Sequence, residues 1–68
     1  MEYLVVLETA EKNWGAYSPD VPGCIATGRT PEETMKRFEK ALRMHLRGLQ
    51  QDGLPMPEPT ARAMTVAL

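Results

Sequence analysis

The chain reads Tyr17-Ser-Pro-Asp-Val-Pro-Gly-Cys24 and, three residues later, Gly28-Arg-Thr-Pro-Glu-Glu33. The prolines of the first stretch fix φ and lack an amide hydrogen, and its glycine accepts a positive φ, so it ends one strand and turns the chain into another. The second stretch is typical of a helix start. Thr30 is a favourable N-cap, Pro31 suits the first helical position and Glu33 completes a capping box. Together they predict strand, corner, strand and helix.

One long amphipathic helix is predicted after Thr30. Apolar residues recur at intervals of three and four, the spacing of one helical face, at Met35, Phe38, Leu42, Leu46 and Leu49. The opposite face is charged, and Gly53 supplies a C-terminal stop signal. The helix of about 22 residues would be ~33 Å long, with one apolar face to lay on a sheet.

Three antiparallel strands are predicted, over Tyr3–Glu8, Trp14–Ser18 and Cys24–Thr27. The polar segment Thr9–Asn13 joins the first two as a hairpin. The first strand is apolar on both alternate faces, which is typical of a strand covered on both sides. Because one helix covers only one face of a small sheet, the second face predicts a protein partner.

A fourth strand is predicted over Ala63–Leu68, where Met64, Val66 and Leu68 alternate with smaller residues. Proline at every second position of Leu54–Thr60 favours an extended segment that returns the chain to the sheet. A strand–helix–strand crossover would place this strand parallel to the first strand and beside it, in the sheet order 3-2-1-4. The fold class is therefore α+β with the order β-β-β-α-β, in a single domain over residues 1–68.

Composition excludes several classes of protein and site. With eight basic and nine acidic residues, the chain shows no charge excess for binding nucleic acid or a membrane surface. Its single cysteine forms no intrachain disulfide, and with a single histidine it cannot supply a four-ligand zinc site. The longest apolar run, Leu4–Leu7, is far too short to span a bilayer, and no leader sequence precedes it. We expect a cytoplasmic protein without cofactor or metal.

Three residues suggest chemistry, and each has a simpler interpretation. Asp20 would need further clustered carboxylates to hold a catalytic metal, and Glu8 and Glu11 are the nearest candidates. We interpret Asp20 as a turn residue that accepts backbone amides. His45 has no acid or nucleophile at a helical offset, which favours a packing role, and Cys24 follows the corner as a small buried hydrophobe. We predict no catalytic residue and no enzymatic activity.

The predicted contact surface for a protein partner comprises the sheet edge, the second face of the first strand, the corner Asp20–Cys24 and the end of the helix. Trp14 and Tyr17 fall on opposite faces of their strand by parity, so one packs in the core and the other lies at an interface. Base stacking by these aromatics is disfavoured because no basic patch flanks them. The predicted partner-binding residues are Tyr3, Val5, Trp14, Tyr17, Asp20, Val21, Met64 and Val66.

Five motifs in order resemble the HicB-like antitoxins of bacterial and archaeal toxin–antitoxin pairs. They are the corner Pro19–Cys24, Gly28, the capping box Thr30–Glu33, the helix segment His45–Leu49 and the segment Asp52–Pro59. The resemblance implies a β-β-β-α-β domain related to a partial ribonuclease H fold. It also implies a partner, a small HicA-type toxin that cleaves mRNA and has a double-stranded-RNA-binding fold.

Further expectations follow from this resemblance. Many members carry a second, C-terminal domain that binds the promoter of their own operon. This sequence ends at the fourth predicted strand, so we expect no direct DNA binding from it. Since apolar strand surface exceeds what one helix covers, we expect a homodimer or higher homo-oligomer. Two alternatives remain: an oligomeric scaffold or small-molecule sensor of this fold without a toxin partner, and a residual nuclease.

Overall fold

The computed structural model describes the whole chain, from Met1 to Leu68. Strands β1 (Val6–Thr9), β2 (Trp14–Ser18) and β3 (Val21–Gly28) precede helix α1 (Pro31–Gln51). The strands form one antiparallel sheet in the order β1-β2-β3. This confirms the α+β class, the meander and the long helix. The first strand is shorter than predicted. The third begins at Val21 rather than Cys24, because Val21 already pairs with Ser18 of β2.

The register of the strands shows which side chains face α1, because paired residues on neighbouring strands share a face of the sheet. Leu7, Ala16 and Ala26 are in register on the face that α1 covers. Phe38 of α1 is fully buried there in a cluster with Ala16, Val21 and Cys24. Small residues at the centre of β2 and β3 thus leave room for the helix to pack closely.

Gly28 ends β3 where α1 passes directly over it. A Cβ atom at this position would lie 2.6 Å from Thr34 Oγ1 and 2.9 Å from Thr34 N. The Thr34 hydroxyl is itself fixed, since it donates to Thr30 O at 2.7 Å. The close strand–helix connection therefore depends on glycine at position 28.

Both ends of α1 are capped as the sequence predicts. Thr30 Oγ1 accepts a hydrogen bond from Glu33 N at 3.0 Å, and Pro31 occupies the first helical position. At the C-terminus Gly53 adopts φ 69°, and Leu54 N donates to Leu49 O at 2.9 Å. This last bond belongs to a Schellman motif. Charged residues keep α1 too polar to cross a membrane.

The predicted fourth strand, Ala63–Leu68, is not formed, and the sheet order is β1-β2-β3 rather than 3-2-1-4. The hydroxyl of Tyr3 donates to Pro57 O at 2.8 Å, so the returning chain reaches the segment that precedes β1. It then continues to the corner between β2 and β3, where Asp20 binds Thr60 and Ala61. The chain therefore crosses the end of the sheet instead of turning along the free edge of β1.

Candidate functional site

An apolar patch crosses the sheet on the face opposite to α1. Val6, Tyr17 and Ile25 are in register on adjacent strands and form this patch, which we call the outer patch. Val6 is half-buried, whereas Tyr17 is 40% exposed and Ile25 is 71% exposed. No element of the chain covers these side chains. The outer patch is thus an apolar surface suited to a protein partner.

A shallow depression of about 240 Å³ adjoins the outer patch. Its walls include Tyr17, Ile25 and Thr27, and Gly15 contributes no side chain to fill it. Glu8 lies at the same depression and is exposed. The outer face therefore combines a concave apolar surface with one carboxylate.

Of the eight predicted partner-binding residues, only Tyr17 belongs to the outer patch, and four lie in or beside the core. Tyr3 and Val5 pack against the core under α1. Trp14 is half-buried and pairs with Gly28, so it shares the helix-covered face. Val21 is only 1% exposed and belongs to the core. As the chain is folded, these side chains support the interior or line the groove beside α1. Their role as partner contacts stays a prediction.

Asp20 lies at the corner and binds the C-terminal segment. Its Oδ2 atom accepts from Ala61 N at 2.9 Å and from Thr60 N at 3.0 Å, and its Oδ1 atom accepts from Thr60 Oγ1 at 3.0 Å. The Ala61 amide, assisted by Thr60 and opposed by partial desolvation, lowers the pKa of the Asp20 carboxyl. Asp20 does accept backbone amides, as predicted, but from a distant segment rather than its own turn.

The segment after this anchor extends into solvent. Met64 is 92% exposed and Val66 is 81% exposed. Both are predicted partner-binding residues, and neither lies on the outer patch. We call residues 62–68 the C-terminal tail.

A second apolar concavity lies between α1 and the segment that precedes β1. This groove has a volume of about 480 Å³ and is lined mainly by apolar side chains, among them Tyr3, Val5, Leu42, Leu46 and Met56. Side chains between positions 35 and 46 of α1 form the helical wall of the groove. Glu39 and Arg43 lie at the groove and pair with each other at 3.1 Å.

Two observations bear on reactive groups. No cluster of three or more His, Cys, Asp or Glu side chains is arranged to hold a metal ion. Cys24 is buried, and desolvation raises the pKa of its thiol. The interpretation of Cys24 as a small buried hydrophobe is confirmed.

Ile25 is the outer-patch residue that the sequence-based prediction missed. Its neighbours Cys24 and Ala26 are small and face the helix, so strand parity places Ile25 on the outer face. The sequence does contain a signal for this position, because a large β-branched residue between two small ones indicates that the large side chain lies on the face away from the helix.

Comparison with known proteins identifies relatives over almost the whole chain. Residues 3–67 match the family model of the HicB-like antitoxin of bacterial toxin–antitoxin systems. A UPF0150 protein of Helicobacter pylori is 31% identical over 49 residues, which cover 72% of this chain and 68% of that protein. A UPF0150 protein of Thermoplasma acidophilum is 27% identical over 67 residues, and the match covers 97% of each chain.

An uncharacterised 14.9 kDa protein of Haemophilus phage HP1 is 31% identical over 58 residues. These residues are 85% of this chain but 44% of the phage protein, so the chain spans less than half of that relative. Among solved structures, a chain of the HicA3 and HicB3 toxin–antitoxin complex matches with a TM-score of 0.73 and 28% identity. The match covers 88% of this chain and 70% of that one.

Proposed function

This chain belongs to the HicB-like antitoxin family, and from that premise we propose that it binds a small HicA-type toxin and inhibits its cleavage of RNA. The antitoxin acts by occupancy, as a binding module in the cytoplasm, and its own residues perform no chemistry. Support for the partner comes from the match to a chain of a HicA3 and HicB3 complex.

The observation that carries the proposal is the outer patch. Val6, Tyr17 and Ile25 form a continuous apolar strip that α1 does not cover. Burying Ile25, now 71% exposed, and Tyr17 against a partner would remove apolar area from water, which is favourable by about 25 cal/mol per Å² before the costs of association. Tyrosine is enriched among the interface residues that contribute most to binding, which lie near the centre of the contact.

Charge complements this apolar contact. A protein that cleaves RNA presents basic side chains to the phosphate backbone. Glu8, beside the outer patch, offers a carboxylate to such a surface. The contact would place an acidic group where the RNA phosphate otherwise lies, so binding of the antitoxin would exclude the RNA. The opposite charges would also raise the association rate at low salt.

A co-expression experiment tests the proposal. The reading frames adjacent to the gene are searched for a small basic protein of HicA type. That protein is expressed alone and with this chain, and growth and co-purification are followed. We expect growth arrest by the toxin alone, rescue by co-expression and a stable complex. Rescue without a complex, or a complex without rescue, would contradict inhibition by binding.

The alternative function, an oligomeric scaffold or small-molecule sensor, is distinguished by the same experiment. If no toxin-like reading frame adjoins the gene and no toxin of this type binds the chain, the alternative is favoured.

A further inference from the structure

We infer that two copies of this chain exchange their C-terminal tails, each tail adding a strand to the free edge of β1 in the other copy. This inference concerns self-association and does not depend on the proposed toxin. It rests on the path of the chain at Asp20, on the unprotected edge of β1 and on the groove beside that edge.

The tail has the pattern of a strand but no strand neighbour. Met64 and Val66 alternate with Thr65 and Ala67, and all of these residues are exposed. Large apolar side chains thus share one face, and small ones share the other. This alternation is typical of a strand, parallel or antiparallel, that packs one face on a core and exposes the other to solvent.

The anchor at Asp20 directs the tail away from its own β1. Pro57 is held at Tyr3, which precedes β1, and Thr60 is held at Asp20 in the β2–β3 corner. Three residues of extended chain cover roughly 10 Å, which is about two strand spacings of ~4.8 Å. The chain has therefore crossed the end of the sheet before the tail begins. To pair with its own β1 edge, the tail would have to reverse across the same end.

The edge of β1 is the more open of the two sheet edges. On β3, Pro22 lacks an amide hydrogen, and Arg37 Nη1 donates to Thr27 O at 3.2 Å. Proline and a covering side chain are common means of blocking an edge. Strand β1, over Val6–Thr9, contains no proline and has β2 as its only strand neighbour. An added strand would complete its ladder.

The groove explains why a strand added at β1 would bring large apolar residues. It lies between α1 and the segment that directly precedes β1, and Val5, Leu42 and Leu46 line it. A strand beside β1 would direct alternate side chains into this space. Met64 and Val66 then fill the groove, while Thr65 faces the other side of the sheet.

A second copy satisfies all of these features at once. Each chain has one free tail and one free β1 edge, so reciprocal exchange about a two-fold axis uses both tails and leaves neither edge open. Exchange of identical elements is a low-cost route to a dimer because the contacts are already encoded in each chain. The outer patch is not used and stays available to another partner.

Sedimentation velocity on the full chain, with matched tail variants, tests the exchange. We expect the unmodified chain to sediment with twice the mass of one chain, and Val66→Glu to sediment as a monomer. Thr65→Glu is the matched control. It lies in the same exposed tail but faces away from the groove, so this variant should remain dimeric. A monomeric unmodified chain, or equal behaviour of the two variants, would overturn the inference.

A mixed-label NMR sample identifies which surfaces meet. With one copy isotopically labelled and the other unlabelled, we expect intermolecular nuclear Overhauser effects between Val66 methyls and the side chains of Val5 and Leu42. Tail contacts found only within one chain would show a fourth strand in cis and overturn the exchange. So would a dimer that Ile25→Glu dissociates but Val66→Glu does not, because that dimer would use the outer patch.

Discussion

At the residue scale, Asp20 decides where the C-terminal segment goes. Three hydrogen bonds from Thr60 and Ala61 converge on its carboxylate, and their lengths lie between 2.9 and 3.0 Å. Hydrogen bonds to an ionised acceptor are stronger than neutral ones. One side chain thus links the β2–β3 corner to a segment forty residues away.

Replacing Asp20 should release this segment without unfolding the sheet. In Asp20→Ala we expect the amides of Thr60 and Ala61 to exchange hydrogen at rates close to those of an unprotected chain, because their acceptor is gone. Amide exchange followed by NMR measures this. Asp52→Ala is the control, since Asp52 is an exposed aspartate whose side chain is not bonded to this segment. Retained protection in Asp20→Ala would contradict the anchor.

The same anchor should depend on pH. Hydrogen bonds in the folded state lower the pKa of Asp20 below its unfolded value, which is about 3.9. Its stabilising contribution is therefore fully present above that value and is lost as pH falls through the folded pKa. We expect the amide chemical shifts of Thr60 and Ala61 to stay constant from neutral pH to about pH 4 and to change at lower pH. A transition of these amides near neutral pH would contradict the assignment to Asp20.

The sequence predicted the chemical role of Asp20 but not its partner. An aspartate in a proline- and glycine-containing corner commonly accepts backbone amides, and this one does. The donors, however, lie forty residues away. Turn chemistry is local, so nothing in residues 17–24 indicates a bond to Thr60.

At the scale of elements, the helix and its connection to β3 follow local rules that the sequence displays. The capping threonine, the first-turn proline and the C-terminal glycine act within a few residues of chain, and all three have the predicted role. The exposed outer patch follows from parity once the inward positions of Cys24 and Ala26 are known.

Two glycine substitutions separate close packing from helix propensity. Gly28→Ala should destabilise the fold by about 1–3 kcal/mol, as expected for overpacking, because its Cβ would lie 2.6 Å from Thr34 Oγ1. Gly48→Ala, inside α1, meets no atom within 4 Å. It should stabilise the fold by about 0.5–1 kcal/mol through helix propensity. Urea unfolding of both variants measures the two effects, and the same sign for both would contradict this account.

The fourth strand shows where prediction from pattern stops. Alternation at Met64, Val66 and Leu68 indicates a segment that suits a sheet, but a strand also needs a neighbour with free hydrogen-bonding groups. The position of that neighbour depends on the path from Pro57 to Ala61, which is set by Tyr3 and Asp20. These tertiary contacts are not visible in the alternation itself.

At the scale of the whole molecule, a 68-residue chain with one helix leaves two apolar surfaces uncovered. The outer patch lies on one side of the sheet, and the groove between α1 and the segment that precedes β1 lies on the other. A chain of this size buries only about 60% of its unfolded surface, so we expect binding of a partner to add to its stability. We assign the outer patch to a toxin and the groove to a second copy.

This assignment separates two kinds of variant. Val66→Glu should prevent self-association while leaving the outer patch intact. Ile25→Glu should disrupt the outer patch and leave self-association unchanged. Ile25 is 71% exposed, so a charge there is compatible with the folded chain. Circular dichroism checks that both variants keep the helix and the sheet.

Titration of the purified toxin with this chain in an RNA-cleavage assay tests the central claim most directly. We expect the unmodified chain to suppress cleavage at a stoichiometric ratio. Ile25→Glu should raise the concentration needed for half-inhibition by a factor of about 30 or more, the equivalent of a 2 kcal/mol hot spot. Val66→Glu, which leaves the outer patch intact, should inhibit like the unmodified chain. Full cleavage at excess antitoxin, or undiminished inhibition by Ile25→Glu, would contradict the account.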